Sequence, residues 1–251
     1  MLKILLNGAK GRMGTAIQEV SPDSGIAIAY SIERGGHLNI PADQVDVIVD
    51  FSTVEGSLAV LDYALKNKKP ILIGTTGFNL EQLQAIKSAA LTIPVLMSGN
   101  YAIGVNVLFY LTELAAEKLG KAYHAEIMEI HHALKVDAPS GTALALAETI
   151  ANARGKTSHL QCGREGLTGK RTEDEIGLHA LRGGDVVGEH TTYFIGQGER
   201  LELTQRTWDR LIYARGALRA ACWLVTQKAP GLYNIRDVLN LNNSFLYDRN
   251  S

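Results

Sequence analysis

Through roughly the first hundred residues, short apolar runs alternate with stretches whose apolar residues recur at helical spacing. The runs are LKILLN, IAIAYSI, VDVIVDFS, KPILIGTTG and IPVLMSGN, and TAIQEV, EGSLAVLDYALKNK and LEQLQAIKSAA lie among them. Compact strands followed by amphipathic helices predict βαβ units and a parallel sheet covered on both faces. The loops after successive strands are NGAKG, ERGG, DFST, GTTG and SGNY. All are small and polar, and all fall at the carboxyl edge of such a sheet, where open α/β folds bind their ligands.

From Gly104 the pattern changes. GVNVLFYLTELAAEKLG reads as a long helix, HAEIMEIHH alternates as a strand does, and residues 142–154 read as a second helix. A region bearing Gly, Thr and Arg (QCGREGLTGKRTEDE) precedes three strand-like stretches, IGLHALRG, VVGEHTTYFIG and ERLELTQRTW. Short turns between consecutive strands predict an antiparallel or mixed sheet, hence a second, α+β domain. The closing helix, from Arg210 to about Lys228, and the tail GLYNIRDVLNL are expected to return to the first domain. The division is then 1–102 plus 212–251 against 103–211.

Composition narrows the function classes. With 251 residues, 46% hydrophobic and 20% charged, the chain has a substantial core and an ordinary globular balance. A net charge of −1 gives no reason to expect nucleic acid as a partner. Cys162 and Cys222 stand far apart, without metal-type spacing, which points to a reducing compartment. The opening apolar run is short, and no stretch is long enough to span a bilayer. A cytoplasmic protein is expected.

The first strand ends on G-A-K-G-R-M-G and a helix follows. Free N–H groups and the positive helix end suit the pyrophosphate of a dinucleotide. The glycines are Gly8, Gly11 and Gly14, and Lys10 stands where the general fingerprint has its middle glycine. Alone, such a turn serves strand-to-helix packing as readily as a cofactor. Arg12 adds positive charge, and Glu33 closes the second strand about 20 residues on, where an acid bonds ribose hydroxyls. Arg34 beside it suits a 2′-phosphate, so NADH and NADPH are both open. Together these features favour cofactor binding over a solvated turn.

The second concentration of chemistry is EIHHALKVDAPSGTAL, residues 129–144. In an extended strand His131 shares a face with Glu129, and His132 points the other way. Lys135 follows, and Ser140 is a candidate N-cap that leaves the N–H groups of Gly141 and Thr142 for an anion. The histidines are structural or catalytic. A metal site is the weakest reading, because adjacent histidines on opposite faces chelate poorly and no cysteine is near. Two histidines, a lysine and a capped helix start in one segment favour reduction of an acidic, unsaturated substrate, in which added hydride is matched by a proton.

These segments resemble the dihydrodipicolinate reductase family of the diaminopimelate route to lysine. GAKGRMG is similar to the family's cofactor loop, and E-x-H-H-x-x-K-x-D-x-P-S-G-T-A at 129–143 to its most specific motif. GTTG at 74–77, SGNYAIGVN at 98–106, RGGDVVGEHTTYF at 182–194 and RGALRAACWLV…GLYNIRDVL extend the likeness nearly end to end. The resemblance implies a Rossmann-type domain with NADH or NADPH as cofactor. It also implies a central domain that binds a cyclic dicarboxylate and forms a homotetramer. His131 would be the catalytic acid/base and Lys135 a proton donor or charge stabiliser, while His132, Gly141 and Thr142 would hold substrate carboxylates. Gly8, Ala9, Lys10, Gly11, Arg12, Met13, Glu33, Arg34, Gly74, Thr75, Thr76, Gly99, Asn100, Tyr101 and Ala102 would line the cofactor. Lys10, where many members carry a small residue, and Thr53, where some carry arginine, leave the nucleotide preference open. A different two-domain oxidoreductase and a non-catalytic dinucleotide sensor are the competing readings.

Overall fold

A computed structural model describes residues 1–33, 36, 38–155 and 158–241. Along the chain run β1 (Leu2–Asn7), α1 (Arg12–Val20), β2 (Ile26–Ile32), β3 (Val47–Asp50), α2 (Val54–Asn67), β4 (Ile71–Ile73), α3 (Leu80–Ala89) and β5 (Pro94–Met97). Then come α4 (Ile103–Leu119), β6 (His124–His131), α5 (Gly141–Ala153), β7 (His159–Cys162), β8 (Glu175–Arg182), β9 (Gly188–Ile195) and β10 (Arg200–Thr207). The chain closes with α6 (Leu211–Leu224), β11 (Gly231–Tyr233) and α7 (Ile235–Val238). It divides into two compact units, Met1–Ile103 with Leu211–Ser251, and Gly104–Arg210.

The first unit holds a parallel sheet of six strands in the order β11-β5-β4-β3-β1-β2. Its central strands are apolar on both faces because both faces are covered. Ile4, Leu6, Val49, Leu72 and Leu96 face a layer built by α1 and by the small residues Ala214, Ala217 and Ala221 of α6. Leu5, Ile48, Ile71, Ile73 and Val95 face α2 and α3. A Thr53 cap starts α2, and an Asn79–Gln82 capping box starts α3. The sheet reverses direction of winding between β1 and β3, and the loops after β1, β3 and β4 meet at that carboxyl edge.

The second unit holds a mixed sheet, β10-β9-β6-β8-β7. Ala125 and Ile127 of β6, Leu178 of β8 and Phe194 of β9 pack on Leu108 and Ala116 of α4 and on Leu146 and Ile150 of α5. Consecutive strands are not all neighbours here. β9 and β10 form the antiparallel pair that the short GQGE turn predicts, but β8 lies on the far side of β6 and runs parallel to it. A parallel pair needs a crossover, and the segment carrying α5 supplies it. β7, which the alternation did not suggest, adds an edge strand parallel to β8. Among the described residues no helix is long and apolar enough to cross a membrane.

Candidate active site

Gly8 follows β1 at φ +85°, and a Cβ there would stand 2.2 Å from the Phe51 carbonyl oxygen. Only glycine fits that close approach of two loops. Gly14 is equally constrained: a Cβ would meet the Gly8 carbonyl oxygen at 2.2 Å. The turn therefore lies flat against the sheet edge. At the start of α1 the N-cap is Gly11, and no side chain caps the helix. The first N–H groups are left to solvent or to an anion, at the positive end of the helix.

Two clefts open beside this turn. One, of about 630 Å³, is lined by Gly8, Lys10, Gly11 and Glu33 together with Phe51 and Thr53. A smaller one, of about 360 Å³, is lined by Gly11, Arg12, Met13, Gly74, Thr75 and Thr76. They share Gly11, Phe51, Ser52 and Thr53. The Lys10 ammonium sits 2.5 Å from a Glu33 carboxylate oxygen, both side chains largely in water. Ala9 is buried behind the turn, and Gly99 and Asn100 stand outside both clefts. Tyr101 and Ala102 belong to the core, with the Tyr101 hydroxyl donating to the Ile73 carbonyl at 2.8 Å. Arg34 lies outside the described residues. Phe51 and Ser52 escaped the sequence reading, which took DFST as a polar loop and singled out only its Thr53.

A cofactor of the dinucleotide class fits this edge on three counts: the side-chain-free cradle, the uncapped helix start and the cationic Lys10 and Arg12 at its rim. Among the described residues no cluster of three or more His, Cys, Asp or Glu side chains is placed to hold a metal.

In the second unit, β6 delivers Glu129 and His131 to one face, as alternation requires. His131 Nδ1 lies 2.5 Å from Glu129 Oε2. The Glu129 carboxylate has no exposed surface and is saturated: Arg182 donates to both oxygens at 2.7 and 2.9 Å, and the Ser140 N–H donates at 2.9 Å. Burial alone would raise its pKa. Hydrogen bonds from Arg182, His131 and the Ser140 N–H outweigh that and hold it below the usual carboxylate range. An ionised carboxylate only accepts, so Nδ1 of His131 carries a hydrogen and Nε2 is the nitrogen left for chemistry. Gly188 opposes that nitrogen, and a Cβ there would stand 3.1 Å from it.

Ser140 caps α5 through its hydroxyl, which accepts from the Ala143 N–H at 3.2 Å. Gly141 and Thr142 are the first two residues of that helix, and their N–H groups precede the first intrahelical acceptor. His190 Nε2 lies 3.1 Å from the same hydroxyl, and its ring meets His131 edge-on at 5.2 Å. Burial, with the neighbouring His131, lowers the His190 pKa to about 4, so this imidazole is neutral. Lys135 donates to both oxygens of Asp137 at 2.8 Å, and His132 Nε2 is 3.3 Å from an Arg210 guanidinium nitrogen. The structure thus gathers His131, Ser140 and the start of α5 around Glu129. Lys135 and His132 are engaged with partners of their own. Arg182, His190 and Arg210 were missed because they lie far along the chain. Glu129 was visible as a same-face neighbour two residues from His131.

A dinucleotide-type sheet paired in one chain with a separate domain carrying a carboxylate-held histidine defines a two-domain α/β oxidoreductase. Residues 2–101 match the model of the dihydrodipicolinate reductase N-terminus, and residues 104–239 that of its C-terminus. The chain belongs to the dihydrodipicolinate reductase family. It is 46% identical over 245 residues to the 4-hydroxy-tetrahydrodipicolinate reductase of Akkermansia muciniphila, covering 96% of this chain and 99% of the relative. The reductase of the same name from Geobacter metallireducens is 41% identical over 266 residues, covering 96% of this chain and all of the relative. In fold, the chain is similar to a dipicolinate-bound dihydrodipicolinate reductase from Paenisporosarcina sp. TG-14. That likeness has a TM-score of 0.73 at 24% identity, over 93% of this chain and 97% of the other.

Proposed function

We propose that the protein catalyses the NADH- or NADPH-dependent reduction of 4-hydroxy-tetrahydrodipicolinate to tetrahydrodipicolinate in the diaminopimelate route to lysine. The observation that carries this reading is the single hydrogen-bonded network linking Glu129, His131 and Ser140 at the start of α5, within a chain at least 40% identical to reductases of that name over nearly its whole length. The nicotinamide, when bound, supplies hydride. The net reaction also consumes a proton and releases the substrate hydroxyl as water. His131 Nε2 carries that proton, with Glu129 holding the ring in the required tautomer. The N–H groups of Gly141 and Thr142, with His132 and Lys135, hold the two substrate carboxylates. The glycine turn of Gly8–Met13 takes the pyrophosphate. Glu33, with Lys10, faces the adenosine ribose, and Gly74–Thr76 and Gly99–Ala102 form or support the remaining wall.

The first unit is then the cofactor domain and the second the substrate domain. The reading includes a cytoplasmic homotetramer. What supports assembly is the sheet face of the second unit opposite α4 and α5, where Leu181 and Ile195 are exposed and Met128, Ile130 and Tyr193 are half-exposed. Light scattering that returns a monomer would remove that part.

The test is loss of reduced-nicotinamide absorbance with freshly synthase-generated substrate, NADH and NADPH in parallel. Rapid oxidation that depends on the substrate is expected. No oxidation from folded, nucleotide-bound protein would overturn the reading.

A further inference from the structure

Asp50, the last residue of β3, is fully buried and belongs to no part of the chemistry above. Its carboxylate is gripped by four side chains. Asn7 Nδ2 (2.7 Å) and the Ser52 hydroxyl (2.5 Å) reach Oδ1, while the Thr75 hydroxyl (2.8 Å) and the Ser57 hydroxyl reach Oδ2. The grip extends outward. Asn7 Nδ2 also reaches the Ser52 hydroxyl and the Gly56 carbonyl, and the Ser52 N–H donates to the Thr75 hydroxyl at 3.0 Å. Asn7 ends β1, Ser52 lies in the loop after β3, Ser57 in the first turns of α2, and Thr75 in the loop after β4. Asn7 and Ser52 line the larger cleft, and Ser52 and Thr75 the smaller. One carboxylate therefore joins three successive loops of the sheet edge whose walls form both clefts.

We infer that Asp50 is a positioning residue for the nucleotide, fixing the loops after β1, β3 and β4 in the geometry that cradles the dinucleotide. The inference rests on the proposed reading of the first unit as the cofactor domain. A carboxylate offers several acceptor sites and no donor, which suits four converging hydrogens, whereas the neutral amide of the same size presents hydrogens of its own. Its hydrogen-bond partners among the described residues are all neutral, so its bonding capacity goes to the loops. A half-satisfied version of the network leaves buried donors unpaired and lets the loops separate.

The test measures NADH binding directly, by nucleotide fluorescence and by calorimetry, on the full-length wild type and Asp50→Asn. The amide keeps the volume but presents two hydrogens where two hydroxyls now donate. The nucleotide Kd and KM are expected to rise at least tenfold, with kcat and the substrate KM within about twofold of wild type. Loss of kcat at unchanged nucleotide Kd, or a folded variant with wild-type Kd, would overturn the inference. Should Asp50→Asn fail to fold, Ser57→Ala decides. Ser57 is buried and lines neither cleft, so its effect on the nucleotide has to travel through Asp50. A rise of about threefold in Kd is expected, and none would overturn the inference. Wild-type protein that binds no nucleotide would instead remove the cofactor-domain reading itself.

Discussion

Asp50 and Glu129 are both carboxylates with no exposed surface, each near the end of a strand, yet their surroundings push them in opposite directions. Asp50 receives only neutral donors; burial dominates and raises its pKa despite four hydrogen bonds. Glu129 is buried as completely, but Arg182, His131 and a backbone N–H overcome the burial and lower its pKa. Burial alone does not decide the charge of an acid. The partner set does, and here it separates a structural clasp from a carboxylate held toward its charged form beside an imidazole.

The largest effect is expected where the charged carboxylate meets chemistry. His131→Ala should cut kcat by about 10²–10⁴-fold while nucleotide affinity is retained, as steady-state kinetics and direct titration would show. Unchanged turnover would break the assignment of the two regions. Glu129→Gln should lower kcat by on the order of 10²-fold. It also leaves Arg182 with a neutral amide and the Leu181 and Asp137 carbonyls, and should cost about 1–3 kcal/mol in urea unfolding at neutral pH.

The comparison sharpens with pH. Glu129 has a depressed folded pKa, so its contribution is present above its ordinary value of 4.5 and is lost as pH falls through the folded value. Asp50 is raised, so its contribution is complete below its ordinary value of 3.8 and is lost as pH rises through the folded value. Unfolding measured at pH 7 and pH 4 should therefore show Glu129→Gln most damaging at pH 7 and Asp50→Asn most damaging at pH 4. The same order for both variants would refute the contrast.

Smaller effects belong to the exposed pairs. Lys10→Ala releases Glu33 and removes a cation from the rim, so the ratio of NADPH to NADH efficiency should fall by a few-fold, in line with about 0.2–1 kcal/mol for a solvated pair. Asp137→Asn frees Lys135, and its effect should stay near twofold, as a lower substrate KM at constant kcat.

Local pattern carried much of this molecule. Short apolar runs and helical spacing marked the strands and helices of the first unit. Ser140 proved to be the α5 cap that its type and place suggested. What the pattern withheld is non-local. The position of β8 beside β6 depends on a crossover, and alternation says nothing about neighbour order. Arg182 reaches Glu129 across 53 positions, and Thr75 reaches Asp50 across 25. Glu129 itself was within reach, since residues two apart on a strand share a face. Asp50 was not, because an acid in a loop-like DFST reads as solvated until the sheet buries it.

The sheet of the first unit is finished by the last part of the chain. Strand β11 pairs with β5, and Ala214, Ala217 and Ala221 of α6 cover Ile4, Leu6, Val49 and Leu72. On a ribosome these residues emerge only after Gly104–Arg210 has been translated. At ~5–20 residues per second, the apolar face of a half-built sheet waits about 5–20 s with only α1 upon it. A chain truncated before Leu211 should therefore give aggregate rather than a free-standing nucleotide module, as its yield in the soluble fraction would show.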